Sequence, residues 1–545
     1  MPRVVPLCNN PLTRWSRNLR WPPSDLRTRV FDAAVGMGGG GTAFNATNTV
    51  RTSLYFDCSD PPFMLNATSA ADIALLQHDA PSPSEEASST SSATMRFGEA
   101  AFASAAPDWP LVAFENYVAG AQSIHATRVG MPCSPRRLVV GHENNGVDAK
   151  YLPSVNAAGK ASATVDGASQ GTRNVVVYIP QFGTSSSLNV VTCLGIGLFY
   201  SYLDAVFPDS RTLLTHSSEH LVASNLSENP ACLERYTQPY SLMLPHDAKS
   251  TTEVGEYVTP ARARVDQRPI HPMYYLQTEG EIQTLHGRFL DSLYERKIQR
   301  SPSSCRPLQR SLVSQRPLFG LSVLYENEFD QRNLGGMLRN ANAFLVDHVF
   351  YTGRKKLNIM GAVGCQHYSR PIHLGPSPAD AESHEGFLRH VDSILGSTIH
   401  ERNAACAQFL LLSTGQEFLY TAEEQQDAAS RDTVVTPNTT STSHPESLRM
   451  FAALQAQGPA TNICLTQPEA SLNEAMGAAG TRYVILLVPQ EGKLPHPALM
   501  SRVEGILHIT PPLSRVREHR GLPSQVAGGI ALARWCSIAH PELRW

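Results

Sequence analysis

One set of three short blocks occurs twice in this 545-residue chain, and that duplication restricts the fold more than any other feature. The first set lies at 45–51, 141–146 and 179–189, and the second at 333–339, 489–494 and 509–525. In both opening blocks an Asn and an Arg stand six residues apart: Asn45 with Arg51, and Asn333 with Arg339. A repeated unit can supply both halves of a shared site from one polypeptide. The length also suffices for two to four domains with full cores.

The segments around the blocks alternate between apolar, β-branched runs and helical patterns. Runs at 30–35, 137–141, 174–179, 318–325, 346–351, 483–488 and 505–509 read as buried strands. Segments 190–203, 334–344 and 526–535 read as helices. Strands alternating with helices indicate α/β layers around parallel sheets. The expected organisation is an N-terminal tail at 1–29, a first unit at 30–206, a polar connector at 207–316 and a second unit at 317–540. Low-complexity insertions are expected near 80–95 and at 154–171, and a further polar insertion near 377–447. One connector helix is marked by a capping box, Thr278 with Glu281. It ends in a basic stretch that includes Arg296, Lys297 and Arg300.

Composition removes several function classes. The formal net charge of −3 gives no global basic field, so any surface for nucleic acid has to be local. The ten cysteines are scattered with no CxxC pair, which argues against a structural zinc site. No apolar run is long enough to span a bilayer. The first residues carry Arg3, Arg14, Arg17 and Arg20 before the first acid, Asp25. This reads either as a transit peptide or as a plain tail, leaving a mitochondrial or a cytoplasmic location open. Gly36, Gly38 and Gly41 satisfy dinucleotide-loop spacing, but four consecutive glycines meet it almost by accident, and the Asn/Arg block opens there instead of a clear helix.

Together the blocks resemble the SpoU/TrmH branch of the SPOUT superfamily of RNA methyltransferases. That family opens a helix with Asn-x-Gly-x-x-x-Arg. Asn333, Gly335 and Arg339 match fully, whereas Asn45 and Arg51 match around Thr47 in the glycine position. Its second motif is a strand leading into Gly-x-Glu-x-x-Gly, matched by Val140, Gly141, Glu143 and Gly146. The second copy keeps Glu491 and Gly492 but has Pro489 and Leu494 at the flanking glycines. The third motif is Ile-Pro followed by Ser-Leu-Asn, matched by Ile179, Pro180, Ser187, Leu188 and Asn189. In the second copy Ile509 and Pro511 remain and Ser-Leu-Asn is lost. Without the 154–171 insertion, the step from second to third motif is equal in both copies.

The resemblance implies two tandem trefoil-knot α/β domains forming an internal pseudo-dimer, with further oligomerisation possible. It implies methyl transfer from S-adenosylmethionine to a ribose 2′-hydroxyl of tRNA or rRNA, with no metal. The cofactor would lie among Val140, Gly141, Gly146, Ile179, Gln181, Gly183 and Leu188. Arg51 or Arg339 would assist the hydroxyl, Asn45 would hold Arg51, and Glu143, Ser187 and Asn189 would support the loops. Guanidinium stays protonated, so its physical role is to bind phosphate and stabilise alkoxide charge, not to act as a base. Arg296, Lys297, Arg300 and Lys355 would contact RNA. The first copy, being less altered, is expected to carry the cofactor, with a composite site using Arg339 as a variant of that arrangement. A non-catalytic RNA-binding or ribosome-assembly factor on the same fold is the competing reading, and a nucleotide-dependent α/β enzyme is a third.

Overall fold

The computed structural model describes residues between 33 and 213 and between 320 and 539; within these ranges several segments are left out, the longer ones being 66–95, 153–173, 416–444 and 510–520. The expected insertions at 80–95 and 154–171, the capping-box helix and the tail lie outside the described residues.

Two seven-stranded sheets form the frame. The first contains β1 (Ala33–Met37), β2 (Phe63–Met64), β3 (Arg96–Phe97), β4 (Leu111–Phe114), β5 (Gln122–Ser123), β6 (Arg136–Val140) and β7 (Val175–Tyr178). The second contains β8 (Leu321–Asn327), β9 (His348–Gly353), β10 (Pro371–His373), β11 (Gln408–Ser413), β12 (Asn462–Cys464), β13 (Val484–Val488) and β14 (Val503–His508). Their orders are β3-β2-β1-β6-β4-β7-β5 and β10-β9-β8-β13-β11-β14-β12. Adding seven to every strand number of the first gives the second, so the duplication seen in the blocks extends to the whole topology. All the described pairings between these strands are parallel.

Parallel strands need cover on both faces, and the burial pattern shows it. On the outer face of the first sheet, Leu111, Ala113, Val139 and Val176 pack with Phe102 of α2 (Glu99–Ser104). On the outer face of the second, Leu324, Phe350, Phe409, Leu411 and Ile485 pack beneath α5 (His384–Ile399), α6 (Pro445–Ala456) and α8 (Pro497–Met500). The inner faces share one core. Val112, Leu138 and Val177 of the first sheet and Val323, Leu410 and Leu486 of the second belong to it. Between the sheets lie α1 (Ala43–Tyr55), α3 (Val190–Val206), α4 (Gln331–Ala343) and α9 (Ser524–Ala539). In α3 all residues but Cys193 and Val206 are buried, and in α9 all but Ala539. A helix apolar on every side has to be enclosed by protein, as these two are.

The expectation of a polar insertion near 377–447 is corrected. That stretch carries α5 and β11, and β11 is a central strand between β13 and β14. Its apolar run is only six residues, and α5 buries Phe387, Val391, Leu395 and Ile399 along one stripe of an otherwise polar segment. Short runs in polar surroundings give a weak periodic signal. Among the described residues, no helix is long and apolar enough to cross a membrane.

Close approach of α3 and α9 depends on two glycines. A Cβ at Gly195 would lie 2.3 Å from Val526 Cγ1, and one at Gly529 would lie 2.3 Å from Thr192 Cγ2. Positions 192 and 195 map onto 526 and 529 with one constant offset, so these are reciprocal contacts. The flanking helices repeat the pattern: Thr52 of α1 adjoins Gly195, and Asn340 of α4 adjoins Gly529. At the C-terminal end of α3, buried Asp204 accepts from Arg211 Nε and Nη2, each at 2.6 Å, and from Val129 N at 2.8 Å. Arg534 of α9, also fully buried, donates to Glu469 Oε1 at 3.1 Å on α7 (Glu469–Ala475) and to Ser210 O at 3.0 Å.

Two outcomes follow from this packing. Gly529→Val should separate α3 from α9 and cost about 1–3 kcal/mol, the usual range for overpacking, measured by chemical denaturation. Burial pushes the His508 imidazole down to about 4. The unfolded chain therefore binds the proton more readily than the native one. Stability should be complete above about pH 6.5 and fall by about 3 kcal/mol on acidification to about pH 4. Denaturation midpoints across that window should show the fall, and His508→Asn should flatten it.

Candidate functional site

Three adjacent strands define the site edge. β6, β4 and β7 are neighbours, and beyond their C-terminal ends stand Gly141, Glu115 and Ile179. In open parallel sheets that edge receives ligands.

After β6 the chain turns back on itself. His142 N donates to Gly146 O at 2.9 Å, and Gly146 N returns a bond to His142 O at 2.7 Å. Gly146 has φ 70°, a conformation that favours glycine. A Cβ at Gly141 would lie 2.1 Å from the Gly146 carbonyl carbon and 2.2 Å from Val147 N. Closure of the loop by itself therefore requires glycine at 141. Val147 N donates to Glu115 Oε2 at 2.5 Å, joining this loop to the end of β4. Glu143 lies outside the described residues.

The loop after β7 supplies the second wall. Val140, Ile179 and Leu188 are buried in the shared core. Gln181 is 2% exposed, and its Oε1 has no hydrogen-bond partner among the described residues. Gly183 lies outside those residues. Asn189 is the N-cap of α3: its Oδ1 accepts from Val191 N at 2.9 Å. Its Nδ2 donates to Asn45 Oδ1 on α1 at 3.4 Å. One side chain thus caps α3 and ties it to α1.

The two arginines sit where their spacing alone did not place them. Arg339 of α4 donates from Nε to Ser187 O at 2.6 Å and from Nη2 to Ser187 Oγ at 2.8 Å. Arg51 of α1, 2% exposed, donates from Nη2 to Gly521 O at 2.9 Å. Gly521 stands to Gly529 as Ser187 stands to Gly195. Each arginine therefore crosses to the third block of the other copy. Of the two arginines left open by the sequence, Arg339 is the one that bonds to Ser187. Asn45 meets Asn189, while Arg51 meets Gly521.

The second copy lacks the corresponding amide pair. By the same offset, Pro523 occupies the place of Asn189. Asn333, the counterpart of Asn45, is fully buried, and neither its Nδ2 nor its Oδ1 has a partner among the described residues. Leu494 is buried in the outer core of the second sheet.

Among the surface candidates, Lys355 is exposed in the turn after β9. Arg296, Lys297 and Arg300 lie outside the described residues. Glu115 was absent from the sequence candidates. The only signal was its position directly after an apolar four-residue run. Among the described residues there is no group of three His, Cys, Asp or Glu that could hold a metal. Burial, with the nearby Glu115 charge, pushes the Cys193 thiol up to about 12, so it is no nucleophile at neutral pH.

No family model and no curated protein matches the chain. Solved structures do. The SpoU methyltransferase AviRb from Streptomyces viridochromogenes, in complex with AdoMet, aligns at 13% identity over 39% of this chain and 58% of its own, with a TM-score of 0.22. An AdoMet-bound rRNA methyltransferase from Sinorhizobium meliloti aligns at 18% identity over 33% and 60%, with a TM-score of 0.21. The A. aeolicus TrmH/SpoU tRNA modifying enzyme aligns at 13% identity over 46% and 87%, with a TM-score of 0.22. The chain thus spans about 58–60% of the first and second of these proteins.

The unequal amides give a stability test. Asn45→Leu removes a partner from buried Asn189 and should cost about 1–2 kcal/mol. Asn333→Leu removes an amide with no partner among the described residues and should be neutral or stabilising. Urea denaturation of both variants should separate them by at least about 1 kcal/mol.

Proposed function

We propose that the chain is an S-adenosylmethionine-dependent RNA methyltransferase of the SpoU/TrmH type, acting on a ribose 2′-hydroxyl of tRNA or rRNA. The two units work as an internal pseudo-dimer with trefoil-knot topology in each. One composite site is built from the loops of the first unit and Arg339 of the second. The bond pair from Arg339 to Ser187 carries this reading, because it sets a cation from one copy against the most complete set of loops in the other.

The residues present suit such a cofactor. The site lies at the C-terminal edge of a parallel sheet, between loops that present backbone groups and the buried apolar side chains Ile179 and Leu188. Gln181 Oε1, without a partner among the described residues, offers a buried acceptor that a ligand donor would complete. When bound, the sulfonium supplies an electrophilic methyl group. The chain then has to hold the ribose hydroxyl in line and stabilise charge as its proton leaves. Arg339 is positioned for this: a fixed, permanently charged guanidinium stabilises an alkoxide or clamps an adjacent phosphate. Ser187 aims the guanidinium, and Asn189, held by Asn45, fixes the start of α3. Glu143 is assigned to the same loop. Lys355, with Arg296, Lys297 and Arg300, is assigned to the RNA backbone.

The test is transfer of a labelled methyl group to RNA from cells lacking this chain, followed by mapping of 2′-O-methylation. Arg339→Ala should lower kcat at least about 100-fold, within the range seen for loss of a charge-stabilising donor. Ser187→Ala should lower it less, since the backbone bond from Nε remains. RNA binding with no methyl transfer and no cofactor binding would instead support the non-catalytic factor.

A further inference from the structure

The second set of loops is built differently at its carbonyl groups. At the ends of β11, β13 and β14, three backbone oxygens accept bonds from the chain itself. Thr414 O accepts from Leu522 N at 2.8 Å. Pro489 O accepts from Ser524 Oγ at 3.1 Å. Ile509 O accepts from Tyr55 Oη at 2.9 Å. The last donor comes from α1 of the first unit. Tyr55 is 2% exposed, and its ring lies against Gly415 so closely that a Cβ there would be 2.9 Å from it. Gly415 has φ +93°, so glycine is needed there twice over.

The mirrored positions in the first unit cannot make the two side-chain bonds. Positions 45, 51 and 55 map onto 333, 339 and 343, so Ala343 is the counterpart of Tyr55. The offset between α3 and α9 makes Val190 the counterpart of Ser524. Neither Ala343 nor Val190 carries a side-chain donor. The carbonyls of Ile179 and Gly141 therefore receive no side-chain hydroxyl from those positions. Next to Ala343, Phe344 borders a cavity together with Ile179 and Pro180.

We infer that Tyr55, with Ser524, closes the second cofactor pocket from within, so that the chain carries one cofactor site and not two. The inference rests on the proposed methyl-donor reading of the first-unit loops. Tyr55 puts a ring and a hydroxyl beside a third-block carbonyl where a ligand would have to fit. In the first unit alanine occupies the mirrored place, so neither ring nor hydroxyl reaches the Ile179 carbonyl from there. Tyr55 then has two effects: it joins the units, and it makes their sites unequal.

Equilibrium dialysis of the full chain against labelled S-adenosylmethionine tests this, with thermal melting to confirm folding. Expected are one site in the wild type, two in the Tyr55→Ala, Ser524→Val double variant, and affinity at least tenfold weaker in Ala343→Tyr. Two sites in the wild type overturn the inference. So does a folded double variant that still binds one, because the closure would then lie with Pro489. Unchanged affinity in Ala343→Tyr also counts against it. Gly141→Trp separates the two ideas. Wild-type binding that survives this substitution sinks the first-unit reading, while a second site gained in the double variant still upholds the role of Tyr55. A chain that binds nothing with or without Tyr55 overturns both.

Discussion

Everything in this molecule depends on how closely α3 and α9 approach. Gly195 and Gly529 each leave room for a side chain of the opposite helix, and a single added methyl at either would collide with it. That approach brings α1 and α4 to the same layer and fuses the inner faces of both sheets into one core. It also sets the reach of the two arginines. Arg339 and Arg51 are long enough to cross to the other copy only because the helices carrying them are held against α9 and α3. Packing and candidate site are therefore one problem, and a change at position 529 acts on both.

On this frame the two copies have diverged in a consistent direction. The first keeps Asn45 bonded to Asn189, a closed glycine loop at 141–146 and a buried acceptor at Gln181. The second keeps the same strand order but has Pro523 for the capping Asn, an Asn333 amide without a partner among the described residues, and carbonyls already bonded by protein donors. A buried amide without a partner costs about 1–3 kcal/mol. The helix that carries Asn333 also carries Arg339, which reaches Ser187 of the first unit.

Part of this was legible in the chain itself. The runs at 137–141, 174–179 and 483–488 are unbroken and β-branched, and they became β6, β7 and β13 with ends shifted by a residue or so. The helices after the third blocks were legible because they are apolar on every side. β11 was not legible: a six-residue run inside a polar stretch carries too little periodic signal, although its place at the centre of the sheet makes it as important as β13. Glu115 was missed for a related reason. Its strand is four residues long, and nothing local marks the residue after it.

The sequence by itself determined that there are two copies, which block belongs to which, and that the second is the more altered. Those facts are local: they reside in residue types at fixed spacing. Only the tertiary structure decided that Arg339 belongs with Ser187 and Arg51 with Gly521, that Gly141 serves loop closure, and that Tyr55 faces the loops of the other copy. Each of these is a contact between residues tens to hundreds of positions apart or across a reversed loop. Spacing along the chain fixes what a block contains. The close crossing of two glycine-bearing helices fixes which blocks meet.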